Sequence, residues 1–408
     1  MHPLIRYLLL LGTTAFSNAA GGAAGSGAGY DTSRLGPSNA DCKRQIYQLN
    51  VTSNNVVFKI PPNPNDTVIA SLTQTLVTVP NNFSQMYQEP DLKQVTKTYA
   101  LSGTLCTPKQ GAKNASHVQY LIHGAGFDSR QVSYWDFAVN GTDEFSYVAA
   151  ATEAGYITFR YDRLGTGLSE KPVDGYNDVQ AATDLAIATK FAEILRNGDI
   201  GGTKFSNIVG VGHSYGSIQM QAITATQPTA LDSVLLTGFS INTSTPVALL
   251  TPEAYTIATE VFPDRFSKDE LSNSYLATLA PQTQQIVFWF FPFYSPAAFD
   301  RSRETEQPVT QGVLFTLGTI IQPAPNFTGP VHVVTAAQDW LFCFLNCYSV
   351  PEGSPFSSIP EAVQVLYPAA SKFSVNIPEN CGHAINTHSV APQVYQEMLE
   401  FVDSVTSS

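Results

Sequence analysis

The stretch Asn207-Ile208-Val209-Gly210-Val211-Gly212-His213-Ser214-Tyr215-Gly216-Ser217 decides how the rest of the chain is read. Its first half is an apolar run of the length of a buried strand, and its second half opens a helix predicted from about Ser217. Gly212, Ser214 and Gly216 alternate across the turn between them, the spacing that lifts a serine hydroxyl above the edge of a sheet. A helix and a neighbouring strand pass so close to such a turn that a β-carbon at either glycine would clash. Gly-Ser loops match this short pattern by accident, so the reading rests on what surrounds it.

The chain has 408 residues, 43% of them hydrophobic, which is enough for one large domain or two ordinary ones with a sizeable core. Its 33 acidic and 21 basic residues give a net charge of −12, which repels a phosphate backbone or an anionic membrane surface and argues against a nucleic acid partner. His2 and Arg6 precede the apolar run Tyr7-Leu8-Leu9-Leu10-Leu11, and Ser17-Asn18-Ala19 offers small residues for cleavage. Residues 1–20 are therefore predicted to be an export signal. That run is too short to span a bilayer and no later one is long enough, so stable membrane insertion is not expected. Residues 21–41 begin with a Gly/Ala/Ser run that has no means of burying a core and read as a flexible leader. Sequons at Asn50, Asn65, Asn82, Asn114, Asn140, Asn242 and Asn326 agree with a secreted glycoprotein. The five cysteines lack metal-ligand spacing and can pair in an oxidising compartment, with one left over.

Along the folded part, residues 45–51 and 56–60 read as strands, and Tyr99, Leu101, Gly103 and Leu105 alternate with smaller or polar residues in the period of another. The apolar strand at 118–122 runs into His123-Gly124-Ala125-Gly126, and the one at 156–161 into Asp162-Arg163-Leu164-Gly165-Thr166-Gly167-Leu168-Ser169. A helix is predicted from Asn177, with Val179, Ala182, Leu185, Ala186, Phe191, Ile194 and Leu195 on one face and Asn197-Gly198 as its stop. Strand, helix and strand thus alternate, which implies right-handed crossovers and a mainly parallel sheet with helices on both faces. After a strand at 231–238 the alternation stops: residues 240–325 hold helical-looking pieces and no clear strand. It resumes at 331–335, before Ala336-Ala337-Gln338-Asp339, and at 372–377, before Cys381-Gly382-His383-Ala384-Ile385 and a closing helix marked by Val394, Tyr395, Met398, Phe401 and Val402.

Taken together these patterns resemble the α/β-hydrolase fold, over about residues 95–405. The resemblance implies a core of residues 42–239 and 326–408 and a mainly helical cap inserted at 240–325. It implies Ser214 as nucleophile, Asp339 as acid and His383 as base, in the chain order Ser, Asp, His. The loop His123-Gly124-Ala125-Gly126 would supply the Ala125 N–H, and the residue after the nucleophile the Tyr215 N–H, to an oxyanion hole. The loop from Asp162 to Ser169 is structural in such proteins. A turn or helix-capping aspartate is the plain alternative for Asp339, and His388, read as solvent-facing or capping, is the competitor of His383. Both loops that carry acid and base should lie at one edge of the sheet, so Cys381 is expected to pair with Cys343 or Cys347, and Cys42 with Cys106.

The function so implied is that of a secreted serine hydrolase of small-molecule or lipid-like carboxylic esters with an apolar portion, needing no metal or organic cofactor. Phe288, Trp289, Phe290 and Phe291 are either cap core or an apolar wall for the substrate. A serine at the turn argues against haloalkane dehalogenases and epoxide hydrolases, which place aspartate there. A thioesterase, a lipase, a C–C bond hydrolase and a proline-releasing aminopeptidase remain open. The last would hold a substrate amine with cap acids, for which Glu253, Glu260, Asp264, Asp269 and Glu270 are available. A reading of another class is a non-catalytic binding protein on a hydrolase scaffold. The oligomeric state is open.

Overall fold

The alternation at Tyr99 to Leu105 belongs to a strand longer than the pattern shows. Strand β1, Ala40–Asn55, pairs antiparallel along its whole length with β2, Lys93–Pro108, with Ala40 opposite Pro108 and Asn55 opposite Lys93. The computed structural model describes residues 35–61, 63–128, 134–242 and 252–406. The predicted export signal and most of the leader lie outside them, while the last leader residues, from Ala40, already belong to β1.

Six shorter strands complete the main sheet: β3 (His117–Ile122), β4 (Ile157–Tyr161), β5 (Asn207–His213), β6 (Ser233–Thr237), β7 (Val331–Val334) and β8 (Phe373–Asn376). Their spatial order is β1-β2-β4-β3-β5-β6-β7-β8. Strand β2 joins β4 antiparallel, and every pairing from β4 to β8 is parallel. Strands β4, β6 and β7 are buried throughout, because helices cover both faces of the parallel part, and this is why they are rich in apolar residues without a clean polar alternation. Parallel strands bring their C-terminal ends to one edge, where the loops after β3, β5, β6, β7 and β8 meet.

Helices of the described residues include α1 (Asp66–Thr78), α2 (Pro80–Tyr87), α3 (Ala181–Asn197), α4 (Tyr215–Thr226), α5 (Pro281–Phe288), α6 (Trp340–Cys343) and α7 (Ala391–Thr406). Helix α3 ends where expected, on Gly198 at φ 90°, whose N–H reaches the carbonyls of Ile194 and Leu195. It begins four residues later than Asn177 because the segment before it is bound elsewhere: Asn177 Oδ1 accepts from Phe58 N (2.8 Å) and Gln180 Oε1 from Val56 N (3.0 Å). Residues 56–60 accordingly form no strand beyond a bridge between Phe58 and Gln88.

Two parts differ from the sequence reading. Helices α1 and α2 had no clear signal because each buries so few apolar residues: Ile69 and Leu72 in one, Phe83 in the other. Asn65, read as a sequon, also caps α1 by accepting from Val68 N. Between β6 and β7, where no strand was expected, Tyr255–Ile257, Tyr275–Thr278 and Val309–Thr310 form a three-stranded antiparallel sheet. Strands of two to four residues are too short to show a period of two.

Candidate active site

Helix α4 starts at Tyr215, two residues earlier than predicted, directly after Ser214 at φ 53° and ψ −118°. A non-glycine residue there costs about 1–3 kcal/mol and persists only where its surroundings enforce it. Here they do. Ser214 N donates to Thr237 O on β6 (2.9 Å), and the Ser217 hydroxyl donates to the same carbonyl (2.8 Å). A β-carbon on Gly212 would sit 2.6 Å from the Gly216 carbonyl carbon, and one on Gly216 would sit 2.1 Å from Ile122 O at the end of β3. Both close approaches are to backbone, which has no room to yield. Gly216→Ala is therefore expected to destabilise the fold by ~3 kcal/mol or more, read as a lowered urea midpoint. A midpoint within error of wild type would show that the turn tolerates a β-carbon.

His383 and Asp339, each wholly buried, meet with His383 Nδ1 2.6 Å from Asp339 Oδ2. The other oxygen of Asp339 accepts from Phe342 N (2.9 Å) and so caps α6. The helix-capping role and the histidine partnership are not alternatives, since each uses a different oxygen. His383 Nε2 has no hydrogen-bond partner. The ring packs over Gly238, where a β-carbon would lie 2.9 Å from Cε1, and beside Phe288 and Phe342, at ring separations of 5.6 and 5.8 Å. His213, which precedes Ser214, is 4.8 Å from it, ring centre to ring centre.

His388 is not solvent-facing, though its backbone N–H, on Ile385 O (3.1 Å), caps the short turn Ile385–Thr387. It is fully buried, its Nε2 accepting from Phe290 N (3.0 Å) and Gly382 N (3.1 Å), which leaves the proton on Nδ1 for the Ala384 carbonyl. Together with Ala384 N to Phe288 O (2.9 Å) and Ser389 N to Phe293 O (2.9 Å), it stitches the histidine loop to the aromatic segment after α5. Burial, chiefly, lowers the pKa of His388 from 6.5 to about 4. Its folded value lies below the unfolded one, so its contribution to stability is full above pH 6.5 and is lost as pH falls toward 4. Unfolding free energy is thus expected to fall by about 3 kcal/mol less between neutral pH and pH 4 in His388→Gln than in wild type. Equal slopes in chemical denaturation would contradict this.

The loop after β3 closes the site from the other side. His123 Nε2 accepts from Arg163 N (3.1 Å) and its Nδ1 reaches Gly124 O (2.9 Å), while burial, chiefly, lowers its pKa to about 3 and keeps the ring neutral. Gly124 lies against the turn at Ser214, since a β-carbon on it would meet Ser214 Cβ at 3.0 Å. Tyr215 is held through its hydroxyl on Asp184 (3.0 Å), which also binds Arg163 (3.0 Å), and the Arg163 guanidinium stacks 4.6 Å over the Tyr215 ring. This buried network, with a second ion pair between Arg160 and Asp136, had no signal beyond the loop from Asp162 to Ser169.

Ala125, Ser214 and Tyr215 share one narrow cavity of about 40 Å³ with Phe288, Phe342 and several aliphatic side chains. Ordinary ligand pockets enclose roughly 300 Å³ or more, so any substrate arm that enters this one must be slender. Of the four aromatic residues proposed as a wall, Phe288 alone lines it. Trp289 is buried against Tyr294, Phe299 and His388, Phe290 stacks on Phe293, and Phe291 is exposed. Among the cap acids, Glu253 lines the cavity. Glu260 lies 3.8 Å from Lys268 at the surface, and Asp264, Asp269 and Glu270 are exposed.

Cys42 and Cys106 are bonded across β1 and β2 as expected, but the second disulfide joins Cys343 to Cys347 and Cys381 is buried and unpaired. Phe344 and Leu345 both turn left-handed, at φ 49° and 67°, folding the chain after α6 back on itself so that the two nearby cysteines meet. The loops of acid and base are instead joined by hydrogen bonds, Gln338 N to Cys381 O (3.2 Å) and Cys381 N to Gln338 Oε1 (3.2 Å). All the sequon asparagines are exposed except Asn242, which is half-buried.

No curated protein sequence matches this chain. Solved structures resemble its fold at low identity. A thermostable carboxyl esterase from Bacillus coagulans is 13% identical, with 75% of this chain and 94% of that one covered at a TM-score of 0.50. A monoacylglycerol lipase from Paleococcus ferrophilus is 14% identical, with 72% and 97% covered and a TM-score of 0.46. Est1E from Butyrivibrio proteoclasticus, solved with ferulic acid, is 15% identical, with 76% and 97% covered and a TM-score of 0.45. The sequence model of the alpha/beta hydrolase family matches residues 120–395, more than half of the chain. With the strand order, the turn at Ser214 and the meeting of Asp339 with His383, this match places the chain in the alpha/beta hydrolase family.

Proposed function

We propose that the chain is a secreted serine hydrolase that cleaves carboxylic esters with an apolar portion, using Ser214, His383 and Asp339. The observation that carries this reading is the division of His383: Nδ1 is taken by Asp339, Nε2 is unpartnered, and the ring packs beside Phe288 and Phe342, which line the same cavity as Ser214. A serine hydroxyl is a poor nucleophile until a base removes its proton. His383 Nε2 takes that proton as Ser214 Oγ attacks the ester carbonyl, and Asp339 stabilises the imidazolium that forms. The Ala125 and Tyr215 N–H groups bind the oxyanion, worth roughly 3 to 4 kcal/mol per donor. The imidazolium then returns the proton to the departing alkoxide. Water, deprotonated by the same Nε2, releases the acid from the acyl-enzyme and restores Ser214. The apolar lining of the cavity favours an apolar arm of the substrate. Exposed sequons and a disulfide between β1 and β2 support export.

The test is to treat the purified protein with a fluorophosphonate, locate the adduct by peptide mapping, and assay p-nitrophenyl esters of rising chain length. The expected result is one adduct, on Ser214, that silences ester turnover. Labelling elsewhere with turnover intact would refute the reading.

A further inference from the structure

One side chain in the cavity takes no part in this reaction. Glu253 is fully buried and lines the same cavity as Ser214, and neither of its carboxyl oxygens meets a donor in good hydrogen-bonding geometry, although the Tyr255 hydroxyl lies beside it. Elsewhere in this region a buried carboxyl is satisfied: Glu306 binds Arg303 and accepts from the backbone and hydroxyl of Thr278. A desolvated carboxyl without partners costs folding free energy that an aliphatic residue of similar size would not. Ile218, Phe288, Leu314 and Phe342, which share the lining, have no polar side-chain atom to offer it.

We infer that Glu253, with Tyr255 beside it, is a specificity-determining pair that receives a hydroxyl group carried on the arm of the substrate that enters the cavity. The inference rests on Ser214 being the attacking group. Burial raises the Glu253 carboxyl well above its ordinary pKa, and Glu306 adds to this; the Tyr255 hydroxyl works in the opposite direction. Burial thus favours the neutral acid form, which donates one hydrogen bond and accepts others. A neutral alcohol has the same complement of one donor and two acceptor sites, so the two match without moving a charge out of water. An ammonium group brings three donors and no acceptor. It would also have to ionise Glu253 inside an apolar cavity, where an isolated ion pair gains little over its desolvation cost. A plain alkyl arm leaves both oxygens as unsatisfied as they are in the empty site. The cavity thus distinguishes three substrate arms of equal length by one atom.

The experiment compares p-nitrophenyl esters of ω-hydroxy acids, the corresponding plain acids and ω-amino acids over a series of chain lengths. At the length that places the hydroxyl at Glu253, wild type is expected to favour the hydroxy ester by ~10-fold or more in kcat/KM. In Glu253→Leu that ratio is expected to fall to about one or below, and in Glu253→Gln, whose amide also donates and accepts, to be largely kept. A preference of wild type for the amino esters would overturn the inference, as would a hydroxyl preference absent at every length or unchanged in Glu253→Leu. Thermal shifts of Ser214→Ala with the same esters report recognition without turnover. A larger shift with the hydroxy than with the plain ester supports the pair even if hydrolysis fails, and equal shifts overturn it. A failed reaction mechanism shows separately, as the absence of Ser214 labelling.

Discussion

Ser214→Ala is expected to lower kcat toward the best p-nitrophenyl ester by roughly a million-fold while leaving the fold intact. The substitution removes one oxygen and keeps Cβ, so the contacts that hold the turn are unchanged: the backbone bond from residue 214 to Thr237 O, the hydroxyl of Ser217 on the same carbonyl, and the packing against Gly124. Without Oγ no acyl-enzyme can form, and His383 is left with only water to activate. The small residual rate would come from the oxyanion donors and from binding. Steady-state kinetics and a fluorophosphonate-labelling gel measure both consequences. Turnover within about tenfold of wild type would remove Ser214 from the mechanism.

Asp339→Asn is expected to cost about ten-thousand-fold in kcat with a change in stability below about 1 kcal/mol. The structure separates the two effects because the carboxylate divides its oxygens. An asparagine can keep its Oδ1 on Phe342 N, so the cap of α6 survives. Its amide nitrogen then faces His383 Nδ1, where Asp339 Oδ2 now accepts. A donor there forces Nδ1 to accept and shifts the ring proton to Nε2, the nitrogen that must be free to take the proton of Ser214. Asp339→Ala should lose the cap as well, so its melting temperature falls below that of Asp339→Asn. If Asp339→Asn kept near-normal turnover, or if it unfolded like Asp339→Ala, the two-role account of Asp339 would be wrong.

These residues were legible because each sits at a strand end inside a local pattern. The turn at Gly212 to Gly216 follows a buried strand, the histidine follows the last strand, and Asp339 is the acidic residue in reach of the end of β7. What was misread lies where one residue's role is set by a distant part of the chain. His388 looks exposed from its place before a helix, yet its ring accepts from Phe290 N and Gly382 N. Cys381 stands two residues before His383 but finds Gln338 rather than another cysteine. Phe291, in a run of aromatics, is exposed while Phe288 three residues earlier is buried and lines the cavity that Ser214 also lines.

The sequence by itself determined the reaction chemistry to be sought and the mainly parallel alternation of strands and helices, because buried parallel strands and the tight turn they require leave a short-range signature in apolar runs and glycines. Tertiary structure alone decided the shape of the cavity, the disulfide after α6, the buried network at Tyr215 and the desolvated carboxyl of Glu253. Each depends on which residues, far apart in the chain, are desolvated together, and the energy of a polar group is set by that company rather than by its neighbours in sequence.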